Sequence, residues 1–128
     1  MGLTKVTVKL SNPAAPKRSY ETLFLVDTGA TDCVAPAGEL RKIGVSKKGR
    51  MSYEFADGQV KEYNHGIVQI EFMGEITAGR VFFGEADVEP ILGGTALESV
   101  GIMVDPADKT LKRLPAIPLK ASCLRRSQ

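Results

Sequence analysis

Apolar and polar residues alternate along much of this chain with the period of two that is typical of half-buried β-strands. Residues 5–10 and residues 68–72 both show this alternation, which predicts two strands with one buried face each. Residues 20–26 end in a continuous apolar run instead, as expected for a strand that is buried on both faces. Further strand-like runs at 33–35, 76–83, 102–104 and 110–114 complete a mainly β pattern.

Glycine and proline residues mark where the predicted strands turn. Asp57-Gly58 separates strand-like residues 51–55 from residues 60–64, and Asp-Gly between two such runs is a strong signal for a β-hairpin. The sequence therefore predicts a hairpin in the middle of the chain.

Two short helices are expected as well. One begins at Pro36, which suits a first helical turn, and ends at Gly44. The other begins at Thr95, because Thr95 and Glu98 fit the capping-box pattern, and ends at Gly101. Both predicted helices follow an apolar strand and a glycine turn, and both precede another apolar strand. This recurrence suggests a domain with an approximate internal two-fold.

Length and composition favour one globular domain. The chain has 128 residues, of which 43% are hydrophobic and 25% charged, and its net charge of +2 is too small to indicate nucleic-acid binding. We place the domain at residues 1–114 and a basic C-terminal tail at 115–128. The tail either contacts an acidic partner or is a solvated terminus, and the solvated terminus is favoured.

The few cysteine and histidine residues argue against a disulfide framework and against a zinc site. Cys33 and Cys123 are the two cysteines and His65 is the one histidine, which is too few for four-ligand zinc. We expect Cys33 to be a buried structural thiol and His65 to be a surface residue. With no signal-peptide pattern and no long apolar run, the expected compartment is the cytoplasm and no membrane partner is expected.

Asp27 is the residue most suggestive of chemistry. It follows the apolar run of residues 23–26 and precedes Thr28 and Gly29. An isolated Asp-Thr-Gly is most often a surface turn, but a buried strand places this carboxylate near the interior, where it needs partners. Gly29 allows a sharp turn whose N–H groups can hold the carboxylate.

The motif Phe24-Leu25-Val26-Asp27-Thr28-Gly29-Ala30 resembles the active-site motif of retropepsin-like aspartic proteases. Pro90-Ile91-Leu92-Gly93, followed by Ala96-Leu97 and Gly101-Ile102, is similar to the family's second signature, and Ala56-Asp57-Gly58 stands where the family places its flap. Together with Val104-Asp105-Pro106, these motifs look most like small soluble prokaryotic members. The resemblance implies a single-lobe, closed β-barrel with a flap hairpin.

The resemblance also implies the activity, which is peptide hydrolysis by a water that two aspartates activate. One aspartate is protonated and the other ionised, because two adjacent like charges disfavour full ionisation. This chain has one Asp-Thr-Gly motif, so the second Asp27 would come from another copy in a homodimer. By the resemblance, Thr28 bonds across the dimer axis and Gly29 accepts substrate backbone; no cofactor and no metal is implied.

The resemblance implies further substrate contacts along the predicted cleft. They are Ala30, Asp32, Tyr53, Asp57, Gly58, Ile91 and Leu92. For Asp32 a solvated loop position is equally plausible, and Tyr53 and Phe55 either line the flap or pack beneath it. We also hypothesise that Asp57 favours basic or polar peptides.

The sequence departs from the retroviral pattern at two positions. Thr31 and Gly94 replace the charged pair that retroviral members carry near their dimer interface. Both charges are missing together, so no unpaired buried charge results. The departure leaves an alternative function open, which is a catalytically weak, peptide-binding dimeric module of the same fold.

Overall fold

The computed structural model describes residues 4–117, which form nine strands and two short helices. In chain order the elements are β1 (Lys5–Asn12), β2 (Ala15–Asp27), β3 (Cys33–Pro36), α1 (Ala37–Lys42), β4 (Gly49–Glu54), β5 (Val60–Phe72), β6 (Glu75–Gly84), β7 (Ile91–Gly93), α2 (Gly94–Ser99), β8 (Ile102–Asp105) and β9 (Thr110–Arg113). The predicted mainly β class and both short helices are confirmed. Most of the predicted tail, including Cys123, lies outside the described residues.

Seven of these strands form one sheet, in the order β1-β2-β7-β3-β6-β5-β4. Strand β1 also pairs with the far half of β5, through Lys9–Ser11 and Gln69–Glu71. The pairing therefore runs from β1 through five strands and returns to β1, while β4 extends outside this ring as the partner of β5. Strands β8 and β9 form a separate two-stranded sheet.

The two recurring sequence motifs lie side by side. Strand β2 pairs in parallel with β7, and the register places Leu25 opposite Ile91 and Asp27 opposite Gly93. Strand β2 is followed by a turn, β3 and α1, whereas β7 leads directly into α2. The starts of the two motifs are therefore held next to each other, at the same end of two neighbouring strands.

A single apolar core explains the alternating patterns. Val8 and Leu10 of β1 are fully buried, while Lys5 and Thr7 between the apolar positions are exposed. Helix α1 adds Leu40 to the core. The remaining buried members come from β2, β3, β5, β6, β7, α2, β8 and the segment after α1: Phe24, Cys33, Ala35, Ile43, Val45, Val68, Ile70, Phe72, Val81, Leu92, Ala96, Leu97 and Ile102.

Two strands are longer than the sequence predicts. Strand β2 begins at Ala15, and β5 runs without a break from Val60 to Phe72. The extra residues of β2, 15–19, are largely exposed, whereas β5 gains the half-buried His65, the buried Gly66 and the exposed Ile67. No alternating apolar pattern marks either segment, and backbone pairing with neighbouring strands holds both.

The predicted capping box at Thr95 is wrong. Gly93 is the N-cap of α2, no side chain caps the helix, and Gly94 is its first residue. Strand β7 therefore passes directly into α2. At the other ends, Gly44 and Gly101 follow the helices with φ values of 79° and 70°, which confirms both as stops.

Within residues 4–117, neither helix has the length or the apolar character needed to cross a bilayer.

Candidate functional site

A cleft of about 870 Å³ separates the β4–β5 hairpin from the segment that follows β2. Residues of the 27–34 segment line one side, and residues 51–56 of the hairpin line the other. Arg80 and Phe82 of β6 and Ile91 of β7 complete the described lining. The volume is in the range of protein ligand sites, so a ligand of several residues fits between hairpin and sheet.

Asp27 lies at the edge of this cleft as the last residue of β2. Its Oδ1 accepts a hydrogen bond of 2.9 Å from the N–H of Gly29. No described residue donates to Oδ2, and the side chain is only partly buried in the single chain. One carboxylate oxygen is thus held by the turn while the other is available for proton transfer.

Backbone contacts between two turns hold the Asp27 turn in place. The N–H of Gly94 donates to the carbonyl of Ala30 at 2.7 Å, and that of Thr95 donates to Thr31 at 3.3 Å. A Cβ on Gly93 would lie 2.5 Å from the carbonyl oxygen of Asp32. Only glycine at position 93 permits this close approach.

Asp32 connects the floor of the cleft to the hairpin. The Tyr53 hydroxyl donates to Asp32 Oδ2 at 3.0 Å, and Arg80 Nη1 lies 3.9 Å from the same oxygen. Burial, together with the Asp32 carboxylate that holds the phenol proton, raises the pKa of Tyr53 to about 12. The side chain of Asp32 is 13% exposed, so the predicted alternative of a solvated loop residue is wrong.

An aromatic group forms the wall at the base of the hairpin. The Tyr53 and Tyr63 rings lie 4.3 Å and 5.0 Å from the ring of Phe82 on β6. The Tyr63 hydroxyl also donates to Glu85 at 3.0 Å. These contacts fix the base of the hairpin against the sheet and leave Phe55, which is 39% exposed, nearer to the tip.

The hairpin tip is a tight turn that is closed by its own hydrogen bonds. The N–H of Phe55 donates to Gln59, and the N–H of Gly58 donates to Phe55, both at 2.8 Å. Asp57 accepts from the N–H of Gln59 at 3.0 Å. Gly58 has a φ of 87°, a conformation that favours glycine. The hairpin predicted from Asp57-Gly58 is therefore confirmed.

The cleft brings together most of the predicted site residues. Its lining includes the predicted residues Asp27, Gly29, Ala30, Asp32, Tyr53 and Ile91. Thr28, Asp57 and Gly58 are exposed and lie outside the lining in the single chain.

Leu92, which was also predicted to bind substrate, does not line the cleft. Leu92 is fully buried in the core, whereas its neighbour Ile91 lines the cleft. The reason is the alternation of side chains along β7, which sends consecutive residues to opposite faces.

Arg80, Met51 and Phe82 were not predicted as site residues, although all three line the cleft. A signal for Arg80 was present, because it is a charged residue inside an apolar strand and stands two positions from Phe82, on the same strand face. The sequence alone does not indicate that this face of β6 lies against the cleft.

Two further predictions concern Cys33 and His65. Cys33 is 2% exposed, and its burial raises the thiol pKa to about 11, which confirms a buried structural cysteine. The prediction of a surface position for His65 is confirmed only in part: the residue is partly buried, and its Nδ1 is enclosed without a described partner. His65 pairs with Gly49 across the hairpin, and because Gly49 has no side chain, the imidazole of His65 has room there.

Neither the models of known protein families nor the curated proteins give a match to this chain.

Proposed function

We propose that this chain is an aspartic endopeptidase whose active site forms when the Asp27 residues of two copies meet. The observation that carries the proposal is the position of Asp27, at the end of β2 and on the lining of a cleft beneath a hairpin. The Gly29 N–H orients one carboxylate oxygen and the other is available. A carboxylate that served only to close a turn would not need to line this cleft.

The chemistry requires both aspartates. Two carboxyl groups in contact share one proton, because a second negative charge nearby disfavours full ionisation. The ionised member takes a proton from a bound water, which attacks the peptide carbonyl, and the protonated member donates to the departing nitrogen. In this arrangement Thr28, exposed in the single chain, supports the contact between the two turns, and Gly29 accepts a substrate N–H.

The strand arrangement supports the finer proposal of a retropepsin-like barrel with a flap. The pairing of β1 with both β2 and β5 gives a ring of six strands, and the β4–β5 hairpin extends from this ring over the cleft. An extended peptide would lie between the hairpin and the floor, and a peptide that runs along a strand gains main-chain hydrogen bonds whatever its sequence.

The Asp27→Asn variant tests the proposal. We expect wild-type protein to cleave members of a peptide library between about pH 4 and 7 and the variant to lose at least ~100-fold in kcat/KM, because general acid–base catalysis contributes about that much or more. Asp87→Asn is the matched control, since Asp87 is an exposed loop residue and its variant should cleave normally. Equal cleavage by wild type and Asp27→Asn contradicts the proposal.

The same samples distinguish the alternative of a peptide-binding dimer. A protein that dimerises in sedimentation and binds library peptides, but cleaves none at any pH, would be a binding module. A strict monomer without cleavage would exclude both functions.

A further inference from the structure

Arg80 is the one cationic side chain on the described lining of the cleft. It projects from β6, and 36% of its side chain is exposed. At one end of the cleft, Arg80 contacts Met51 of the hairpin on one side and Asp32 of the floor on the other. Its guanidinium is therefore available to a ligand that occupies the cleft.

The protein leaves most of this guanidinium unsatisfied. Arg80 forms a loose ion pair with Asp32 at 3.9 Å, too long for a hydrogen bond, and another close polar contact is the weakly accepting sulfur of Met51. The nearest oxygen of Asp32 already accepts from Tyr53 at 3.0 Å. The Tyr53 hydroxyl also lies close enough to Arg80 to interact with it, but a guanidinium has five N–H donors, and these contacts do not use them all.

Such a group is suited to a carboxylate. The planar guanidinium fork binds a carboxylate through two parallel hydrogen bonds, a geometry that a neutral amide does not reproduce. A basic ligand side chain is less suited to this end of the cleft, because the carboxylate of Asp32 is 13% exposed and already has a donor.

We infer that Arg80 is a specificity-determining residue that binds a glutamate or aspartate side chain of the substrate peptide. The inference rests on the proposed peptidase function and names its substrate class. It differs from the hypothesis from sequence that Asp57 favours basic or polar peptides, because Asp57 lies outside the cleft lining and Arg80 lies on it.

Paired peptides provide the test. Each pair carries Glu or Gln at one position near the cleaved bond, and the measurement is the Glu-to-Gln ratio of kcat/KM. We expect a ratio of about ten at one position for wild type, as for a charge-assisted hydrogen bond. The ratio should fall to about one in Arg80→Gln and be intermediate in Arg80→Lys, which keeps the charge but not the fork.

The ratio separates a specificity role from a structural one. If Arg80 only supports the hairpin, its loss lowers the cleavage of both peptides equally, the ratio stays unchanged, and the inference is overturned. Arg50→Gln is the matched control. Arg50 lies on the β4–β5 hairpin itself, outside the cleft lining, and contacts Glu62 and Asn64. A wild-type ratio near one at every position overturns the inference without any variant.

Binding measurements keep this test separate from the proposed function. If wild type cleaves no peptide, the affinities of the same fluorescent Glu and Gln peptides are measured by anisotropy. A Glu preference that disappears in Arg80→Gln supports the inference although the proposed peptidase activity has failed. Equal affinities in wild type overturn it. Circular dichroism identifies a variant that does not fold, and Arg80→Lys then replaces it.

Discussion

Gly93 and Gly38 differ in the space around their α-carbons. A Cβ at Gly93 would meet the carbonyl of Asp32 at 2.5 Å, whereas a Cβ at Gly38 in α1 would meet nothing within 4 Å. Gly93 permits two backbone segments to touch. Gly38 permits no such contact, and it only gives the unfolded chain more conformational freedom to lose when α1 forms.

Alanine substitution should therefore have opposite effects at these two positions. We expect Gly93→Ala to lower the free energy of unfolding by about 1–3 kcal/mol through overpacking. Gly38→Ala should raise it by about 0.5–1 kcal/mol, because alanine is the better helix former. Urea unfolding of both variants measures the change. If the two variants have the same free energy of unfolding, the backbone around Gly93 must move apart at no cost to accept the Cβ.

At the same scale, the sequence predicted Asp27 but not Arg80. The position of Asp27 follows from its neighbours in the chain, since the apolar run and Gly29 define a strand end and a turn. The role of Arg80 depends on Met51 and Asp32, which are distant in sequence and meet it only in the folded chain. Local patterns carry no information about such partners.

The β4–β5 hairpin is the element that closes the cleft, and Tyr53 anchors it to the floor. The hydroxyl of Tyr53 reaches Asp32 and its ring packs on Phe82. At the level of elements, the sequence predicted this hairpin but missed the length of β5. The tip has a turn signal, whereas the strand continues through His65, Gly66 and Ile67, which show no alternating apolar and polar pattern.

This anchor predicts a particular response to alkaline pH. The folded-state pKa of Tyr53 is about 12, above the usual value of 10, so the stability that this neutral phenol provides is complete below pH 10 and decreases as the pH rises to about 12. Tyr53→Phe should cost about 1 kcal/mol at neutral pH, through the lost hydrogen bond, and the difference from wild type should narrow above pH 10.

Chemical unfolding across this pH range measures the difference. Tyr20→Phe is the control for the cost at neutral pH, since no described residue binds the Tyr20 hydroxyl and its ring contacts Phe24. It is not a control above pH 10, because burial raises the pKa of Tyr20 as well. If the difference in free energy of unfolding between wild type and Tyr53→Phe stays constant up to pH 12, the proposed role of the Tyr53 hydrogen bond is wrong.

At the scale of the whole molecule, the single chain presents half of the proposed active site. The Asp27 carboxylate is partly exposed and Thr28 is exposed, as expected for groups that a second copy would cover. In the described chain, the turn equivalent to Asp27 is the one at Gly93, which carries no acid. Catalysis by two aspartates therefore needs two chains.

Mixing experiments test this requirement. When wild type is mixed with a ninefold excess of Asp27→Asn and the subunits exchange, most wild-type chains pair with an inactive partner. Activity per wild-type chain should then fall about tenfold. An excess of Asp87→Asn, which should itself be active, provides the control. Activity that does not change with excess Asp27→Asn would show that a single chain suffices.

The parallel pairing of β2 with β7 has a consequence for how the protein folds. It joins residues 25–27 to residues 91–93, so the floor beneath Asp27 cannot form until most of the chain has left the ribosome. Bringing such distant segments together costs conformational entropy before any favourable contact forms, so this pairing slows folding. In a nascent chain, Asp27 would thus stay without its neighbouring strand until residues 91–93 have been made and can pair with it.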